Sequence, residues 1–293
     1  MRRHRTTARG ISFALLIAGL AAVSAVPRTA TAGTAGVPRL VFPLVAETQW
    51  WDNYGDPRPN GRHAGIDIMT PSHLPVVAVE PGRVKHWDSG LGGCMLYLYG
   101  ASGTMYMYIH LNNDVTAKND NRGRCHEVAF TVRDGAKVAA GEQIAWSGDS
   151  GDADGNPHLH FEVHPGGGSD VNPNQYLKQA RKPLFAAKPG TQFSLGLKGN
   201  LVSAGAGTVS LDVERVRHYP GGRWLDVDKR TVELDVPVDA VVAPSLAVVS
   251  SAAKREPKAV LPVVAHTVTA KTTIDAIVGT SGTLTAGRLS PSR

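Results

Sequence analysis

Seven consecutive residues, His158-Leu159-His160-Phe161-Glu162-Val163-His164, alternate polar and apolar without a break. In an extended strand this period of two sets His158, His160, Glu162 and His164 on one face and turns Leu159, Phe161 and Val163 into a core. The fold must therefore bury one side of this strand and leave chemistry on the other. Eight of the eleven histidines fall between His63 and His164, so the clustering extends well beyond this strand.

Upstream, His63-Ala64-Gly65-Ile66-Asp67 holds an imidazole and a carboxylate four residues apart, a spacing that keeps both on one side of the chain. Two neutral imidazoles and one carboxylate suit a borderline cation such as Zn²⁺. Three protein ligands leave a fourth position for water, which is the coordination of a catalytic site, because structural zinc sites are closed by four ligands. An HxxxD or an HxH alone arises easily by chance, and a strand histidine is more often a partly exposed side chain without a ligand. The joint pattern of alternation, flanking glycines and a second histidine strand carries the weight. That second strand is Thr104-Met105-Tyr106-Met107-Tyr108-Ile109-His110. Its alternation is expected to set Tyr106, Tyr108 and His110 on one face and Met105, Met107 and Ile109 on the other. A histidine at a strand end beside a metal site suits a general base or a donor to the transition state.

The chain as a whole reads as mainly β. Pro75–Glu80, Gly82–Trp87, Cys94–Tyr99, Thr104–His110, Glu127–Val132 and His158–His164 read as strands separated by Gly, Asn and Asp clusters. Residues 136–148 read as strand–turn–strand, and a short helical stretch is expected over 174–181. A Lys/Pro/Gly linker at 183–190 separates the domain 33–182 from a smaller β-rich accessory domain at 191–293, for which a barrel-like form is one option. Expected strands there are Thr208–Arg217, Thr231–Val242, Val260–Val268 and Thr272–Val278. After Phe193 the only aromatics are Tyr219 and Trp224, few for a module that stacks on sugars or bases.

The formal charge of +6 suggests an anionic partner until its position is considered. Residues 1–32 have a basic start, an apolar run over 11–26 and the small-residue exit Ala30-Thr31-Ala32, the three parts of a secretory signal peptide. The apolar run is interrupted by Ser12, Gly19 and Ser24 and is short for a membrane span, so cleavage is expected over anchoring. Five arginines and no acid lie in this leader, so its removal takes +6 to +1. No basic patch interleaved with aromatics survives, and nucleic acid is not an expected partner. The remaining chain has no stretch that would make a stable membrane span. The two cysteines, Cys94 and Cys125, read in an exported chain as a disulfide closing a loop of about thirty residues and contributing ~3 kcal/mol.

At this point residues 41–177 resemble the lysostaphin/LytM-type zinc metallopeptidases, which cleave peptide cross-links in bacterial cell walls. The resemblance is carried by Phe42-Pro43, Tyr54-Gly55-Asp56-Pro57-Arg58, Gly61-Arg62-His63-Ala64-Gly65-Ile66-Asp67-Ile68, Pro75-Val76-Val77-Ala78, Tyr108-Ile109-His110-Leu111, Pro157 to Val163, and Val171-Asn172-Pro173 with Tyr176-Leu177, in family order. It implies an antiparallel β-sheet metallopeptidase domain of the duplicated hybrid motif type, with one Zn²⁺ per catalytic domain. His63, Asp67 and His160 would be the metal ligands, and His110 and His158 the catalytic pair. The implied function is a secreted zinc endopeptidase acting on peptidoglycan cross-links or stem peptides. The alternative on the same fold is a catalytically silent wall-binding or hydrolase-activating protein. Members of that second kind lack some of these five residues, and all five are here. A departure from the pattern is the Asp-rich approach Gly148-Asp149-Ser150-Gly151-Asp152-Ala153-Asp154-Gly155-Asn156, which would line a groove wall. Glu162 and His164 share the face of His160, as second contacts to the site or as plain exposed positions. Tyr54, Tyr106 and Tyr108 are candidates for the groove lining or for packing.

Overall fold

The computed structural model describes residues 36–292 apart from 60, 189, 206, 219–221 and 243–269. The leader 1–32 and the expected strand Val260–Val268 lie outside the described residues. Antiparallel strands dominate, as the alternation demands. Residues Thr34–Arg293 make one compact unit, within which two six-stranded sheets each have a hydrophobic cluster.

The first sheet is assembled from β3 (Ile66–Met69), β5 (Gly82–Ser89), β6 (Gly93–Gly100), β7 (Met105–Leu111), β8 (Lys137–Val138) and β10 (His158–His164), in the order β3-β10-β7-β6-β5-β8. Around it lie the hairpin β1 (Pro57–Arg58) with β2 (Gly61–Arg62), and the pair β4 (Pro75–Val77) with β9 (Gln143–Trp146). Leu159, Phe161 and Val163 point into the core with no exposed surface, against Ile66, Ile68, Tyr106 and Tyr108. Burying apolar side chains of this size stabilises by about 1.5–3 kcal/mol each relative to exposure. Ile66 and Ile68 interleave with Asp67, and Asp67 is paired in register with His160. The apolar register that packs the core therefore also sets those two polar side chains side by side.

The expected strand over Glu127–Val132 is instead a one-turn helix, α1 (Cys125–Val128), followed by a single bridge from Phe130 to Ala145. Its cause is local: the Glu127 and Val128 N–H groups both donate to the Arg124 carbonyl, and Cys125 is tied back to Cys94 by a disulfide. That bond joins the 112–128 connection to β6. Helix α2 (Asn174–Gln179) closes this part of the chain.

The second sheet has the order β13-β12-β11-β15-β16-β14, from β11 (Phe193–Gly205), β12 (Thr208–His218), β13 (Leu225–Asp235), β14 (Val241–Val242), β15 (Ala270–Val278) and β16 (Leu284–Pro291). Asp235 also bridges to Thr285 in parallel, linking β13 with β16. Two strands here, β11 and β16, are additional to those expected from the sequence. Alternate residues Val209, Leu211 and Val213 of β12 fill its core. Ion pairing of Lys182 with Asp228 at 2.8 Å and donation from the Glu47 N–H to the Asp226 carbonyl tie the two sheets together.

Candidate metal centre and cleft

Strands β3 and β10 approach closely because residue 65 has no side chain. A Cβ at Gly65 would stand 2.5 Å from the Phe161 carbonyl oxygen and 2.8 Å from His160 Nε2. At this approach His63 Nε2 lies 2.9 Å from Asp67 Oδ1, His160 Nδ1 lies 3.0 Å from the same oxygen, and the two ring nitrogens are 2.8 Å apart. All three side chains are buried. They form the metal-competent cluster found among the described residues.

The protons of this cluster are accounted for from outside it. His63 Nδ1 donates to the Asn53 carbonyl at 2.8 Å, and His160 Nε2 donates to Glu162 Oε1 at 2.9 Å. A neutral imidazole has one N–H, so His63 Nε2 and His160 Nδ1 face Asp67 Oδ1 as lone pairs. Three electron-rich atoms about 3 Å apart repel one another unless a cation lies among them. Tetrahedral zinc with bonds of roughly 2.0–2.1 Å holds its ligands roughly 3.3 Å apart, so the donor set fits in kind and spacing. Without a cation a proton relieves the repulsion. Burial opposes charge on His160, but hydrogen bonds to Asp67 and Glu162 outweigh it and raise the ring to about 9. Metal and proton therefore compete for Nδ1. The Asp67 carboxyl, which burial alone would push up, is held far below the carboxylate range by His160 and His63.

Support for this cluster comes from residues that carried no assigned role at the sequence level. Asp67 Oδ2 accepts from Asn53 Nδ2 at 3.0 Å and from the Arg58 guanidinium at 2.6 Å, which leaves Oδ1 to face the two imidazoles. Glu162 continues to His164, whose Nε2 lies 2.6 Å from Glu162 Oε2 and whose Nδ1 donates to the Gly168 carbonyl. Of the two options for Glu162 and His164, buried supporting contacts are the ones observed. Charged neighbours in HxH motifs are a weak signal, but the clean period of two already put Glu162 beside His160.

His110 departs from the expected alternation. Tyr106 and Tyr108 are fully buried in the core, with the Tyr108 hydroxyl accepting from the Val79 N–H and the Tyr106 hydroxyl donating to Glu80. His110 is on the opposite face, in the cleft. Between the pairs Cys94–Leu111 and Leu96–Tyr108, the two residues Ile109 and His110 oppose Met95 alone, and His110 has φ of +61°. This β-bulge re-aims the imidazole toward His158, with ring centroids 4.8 Å apart. Each ring is oriented by a backbone carbonyl: His110 Nδ1 donates to Ser150 O and His158 Nδ1 to Asn156 O, both at 2.8 Å. Among the described residues neither Nε2 makes a hydrogen bond, and each has a carboxylate oxygen just beyond that range, Asp152 Oδ1 at 3.7 Å for His110 and Asp67 Oδ1 at 3.6 Å for His158. Burial, reinforced by the neighbouring His158, lowers His110 to about 4 and keeps it neutral near pH 7.

The five residues line one cleft of about 890 Å³, together with Trp51, Arg58, Leu91, Met95 and Ile109. Of the Asp-rich approach, Asp152 faces this cleft, 3.7 Å from His110 Nε2. Asp149 and Ser150 are buried and brace the loop, Ser150 Oγ donating to the Leu111 carbonyl at 2.6 Å. Tyr54 does not line the cleft; its hydroxyl donates to Asp170.

Residues 123–173 match the description Peptidase family M23. That stretch includes His158, His160, Glu162 and His164. An uncharacterized metalloprotease of Haemophilus influenzae is 33% identical over 131 residues, 44% of this chain and 22% of that protein. Lysostaphin of Staphylococcus simulans is 29% identical over 126 residues, 39% of this chain and 22% of that protein. The murein hydrolase activator NlpD of Salmonella dublin is 30% identical over 128 residues, 44% of this chain and 29% of that protein. The chain thus spans about a quarter of the length of these curated relatives. Among solved structures, the catalytic domain of lysostaphin from Staphylococcus simulans aligns at 26% identity with a TM-score of 0.36, over 45% of this chain and 92% of that one.

Proposed function

Because the chain is a lysostaphin/LytM-type member of peptidase family M23, we propose that it is an exported, zinc-dependent endopeptidase that hydrolyses peptide bonds in peptidoglycan cross-links or stem peptides. The observation that supports this reading is the convergence of His63 Nε2, Asp67 Oδ1 and His160 Nδ1, with both ring protons committed elsewhere, in a cleft that also holds His110 and His158. A silent activator needs neither an emptied triangle of lone pairs nor two further imidazoles aimed at it. Export is favoured by the leader composition and by a disulfide between Cys94 and Cys125. Among the described residues no helix is long and apolar enough to cross a membrane.

His63, Asp67 and His160 would hold the zinc, which supplies Lewis acidity to the scissile carbonyl and acidifies water at its open position. The rest of the work falls to the chain itself. His110, neutral and pinned at Nδ1 by the Ser150 carbonyl, accepts the proton of the attacking water at Nε2. His158 also donates from Nδ1 to Asn156 O and has Nε2 3.6 Å from Asp67 Oδ1; in its doubly protonated form it donates from Nε2 to the oxygen on which charge develops and is left as the neutral ring. Arg58 and Asn53 hold Oδ2 and so orient Asp67 with Oδ1 toward the two imidazoles. A buried donor of this kind typically contributes 10²–10³ in kcat, an estimate of roughly 3–4 kcal/mol.

The test separates holding from chemistry. His63→Ala, Asp67→Asn and His160→Ala are expected to lose stoichiometric zinc and the clearing of purified cell walls. His110→Ala and His158→Ala are expected to keep zinc and lose about 10²–10³ in rate. A wild-type protein that clears walls at full rate after chelation would sink the zinc reading. One that binds zinc, clears nothing and stimulates another hydrolase would be an activator.

A further inference from the structure

The exposed face of the first sheet does not end at the metal cluster. Residues paired across neighbouring strands share a face, so the register can be followed outward from His160. His160 pairs with Ile109, which bulges against Met95, and Met95 pairs with Trp87. The next row runs Glu162, Met107, Tyr97, Lys85, and the third His164, Met105, Tyr99, Arg83. Strands β7, β6 and β5 thus present Ile, Met, Tyr and Trp side chains bordered by two cations. Trp87 and Tyr99 are 53% and 50% exposed, and the Trp87 and Tyr97 rings lie within 17° of parallel at 6.2 Å. The patch is continuous with the cleft, because Met95 and Ile109 line both. An exposed aromatic patch of this kind on a soluble domain marks a binding surface.

We propose that this face of β5, β6 and β7 is a glycan subsite: it seats the amino-sugar chain of peptidoglycan while the peptide attached to that chain enters the metal cleft. The inference rests on the function proposed above and names the second part of its substrate. The C–H face of an equatorially substituted pyranose is apolar with positively polarised hydrogens, and it complements the negative face of an indole or phenol ring. Arg83 and Lys85 offer charge to the carboxylates that accompany such a chain. Lys85 is shared with Asp134, and Arg83 also donates to the Gly135 carbonyl. The distance matches as well. From β10 to β5 is three strand intervals, roughly 14 Å, the length of an extended peptide of about four residues at ~3.3 Å each. The second sheet offers no comparable platform among its described residues: its Trp224 is held between Lys198 and Arg217, each 4.6 Å from the ring centre.

The experiment uses the full chain and two substrates, intact peptidoglycan and the same peptides released from their glycan. Trp87→Ala and Tyr99→Ala, both at exposed positions, are expected to lower kcat/KM on intact peptidoglycan about tenfold and to leave the free peptides cleaved at the wild-type rate. Titration with an N-acetylglucosamine tetramer, followed by tryptophan fluorescence and by chemical shifts, is expected to perturb Trp87 in wild type and to give no saturable response in Trp87→Ala. Equal loss on both substrates, no saturable response in wild type, or a shift from dimer to monomer in Trp87→Ala by sedimentation would each overturn the subsite. Failure of wild type to cut either substrate would count against the endopeptidase and leave the tetramer titration to judge the glycan site.

Discussion

Glu162 decides which nitrogen of His160 is available. A carboxylate held down to about 2 by His160 and His164, against the burial that would raise it, accepts the Nε2 proton and turns the Nδ1 lone pair toward His63 and Asp67. Hydrogen-bond partners of metal-binding histidines typically matter 10–100-fold in affinity. Glu162→Gln keeps an acceptor for one ring and removes the negative charge shared by His160 and His164. Zinc affinity, measured by competition with a chromogenic chelator, is expected to fall about 10–100-fold while the fold is retained. Unchanged affinity would mean that Glu162 is only a packing residue. Asp67 is served in the same manner by Asn53 and Arg58, which come from a segment beside the strand pair, fourteen and nine residues away in sequence.

At the level of strands, two local departures from regularity build the cleft. The bulge at Ile109–His110 moves one imidazole across the sheet, and Gly65 lets β3 lie against β10. Gly65→Ala puts a methyl group within 2.5 Å of the Phe161 carbonyl, which is backbone and cannot swing away. Overpacking of this kind costs about 1–3 kcal/mol. The variant is expected to melt several degrees lower and to bind zinc more weakly, because relief of the clash separates Asp67 from His160. Thermal unfolding and the same zinc competition check both halves; a variant with wild-type affinity would show that β3 has slack. Strict alternation was legible from the sequence in β10, where every residue obeys it, and failed in β7 only at its last functional residue. A bulge depends on the count of residues in the facing strand, and nothing local to Thr104–His110 reports that count.

At the scale of the whole molecule, each of the two sheets carries a partly buried histidine whose Nε2 has no hydrogen-bond partner among the described residues. His86 is stacked on Phe130 at 3.8 Å, and His218 on Phe193 at 5.2 Å. Burial lowers both below the ordinary imidazole value. In such cases the unfolded chain binds protons first: stability is fully present above about pH 6.5 and is lost as pH falls through the lower folded values. The melting temperature is therefore expected to drop by a few degrees between pH 7 and pH 5, and His86→Phe with His218→Phe to flatten that slope; an unaltered slope in the double variant would remove the assignment. The choice of His63, Asp67 and His160 rested on the family resemblance; the sequence by itself determined the β class, the Cys94–Cys125 pairing and the inward face of β10, because each follows from period or count along the chain. It did not determine the helix at Cys125–Val128, the face of His110, the roles of Asn53 and Arg58, or the run of Trp87, Tyr97 and Tyr99 beside the cleft. Those depend on which strands become neighbours and in what register, and register is set by the packing of a common core among residues up to about a hundred positions apart.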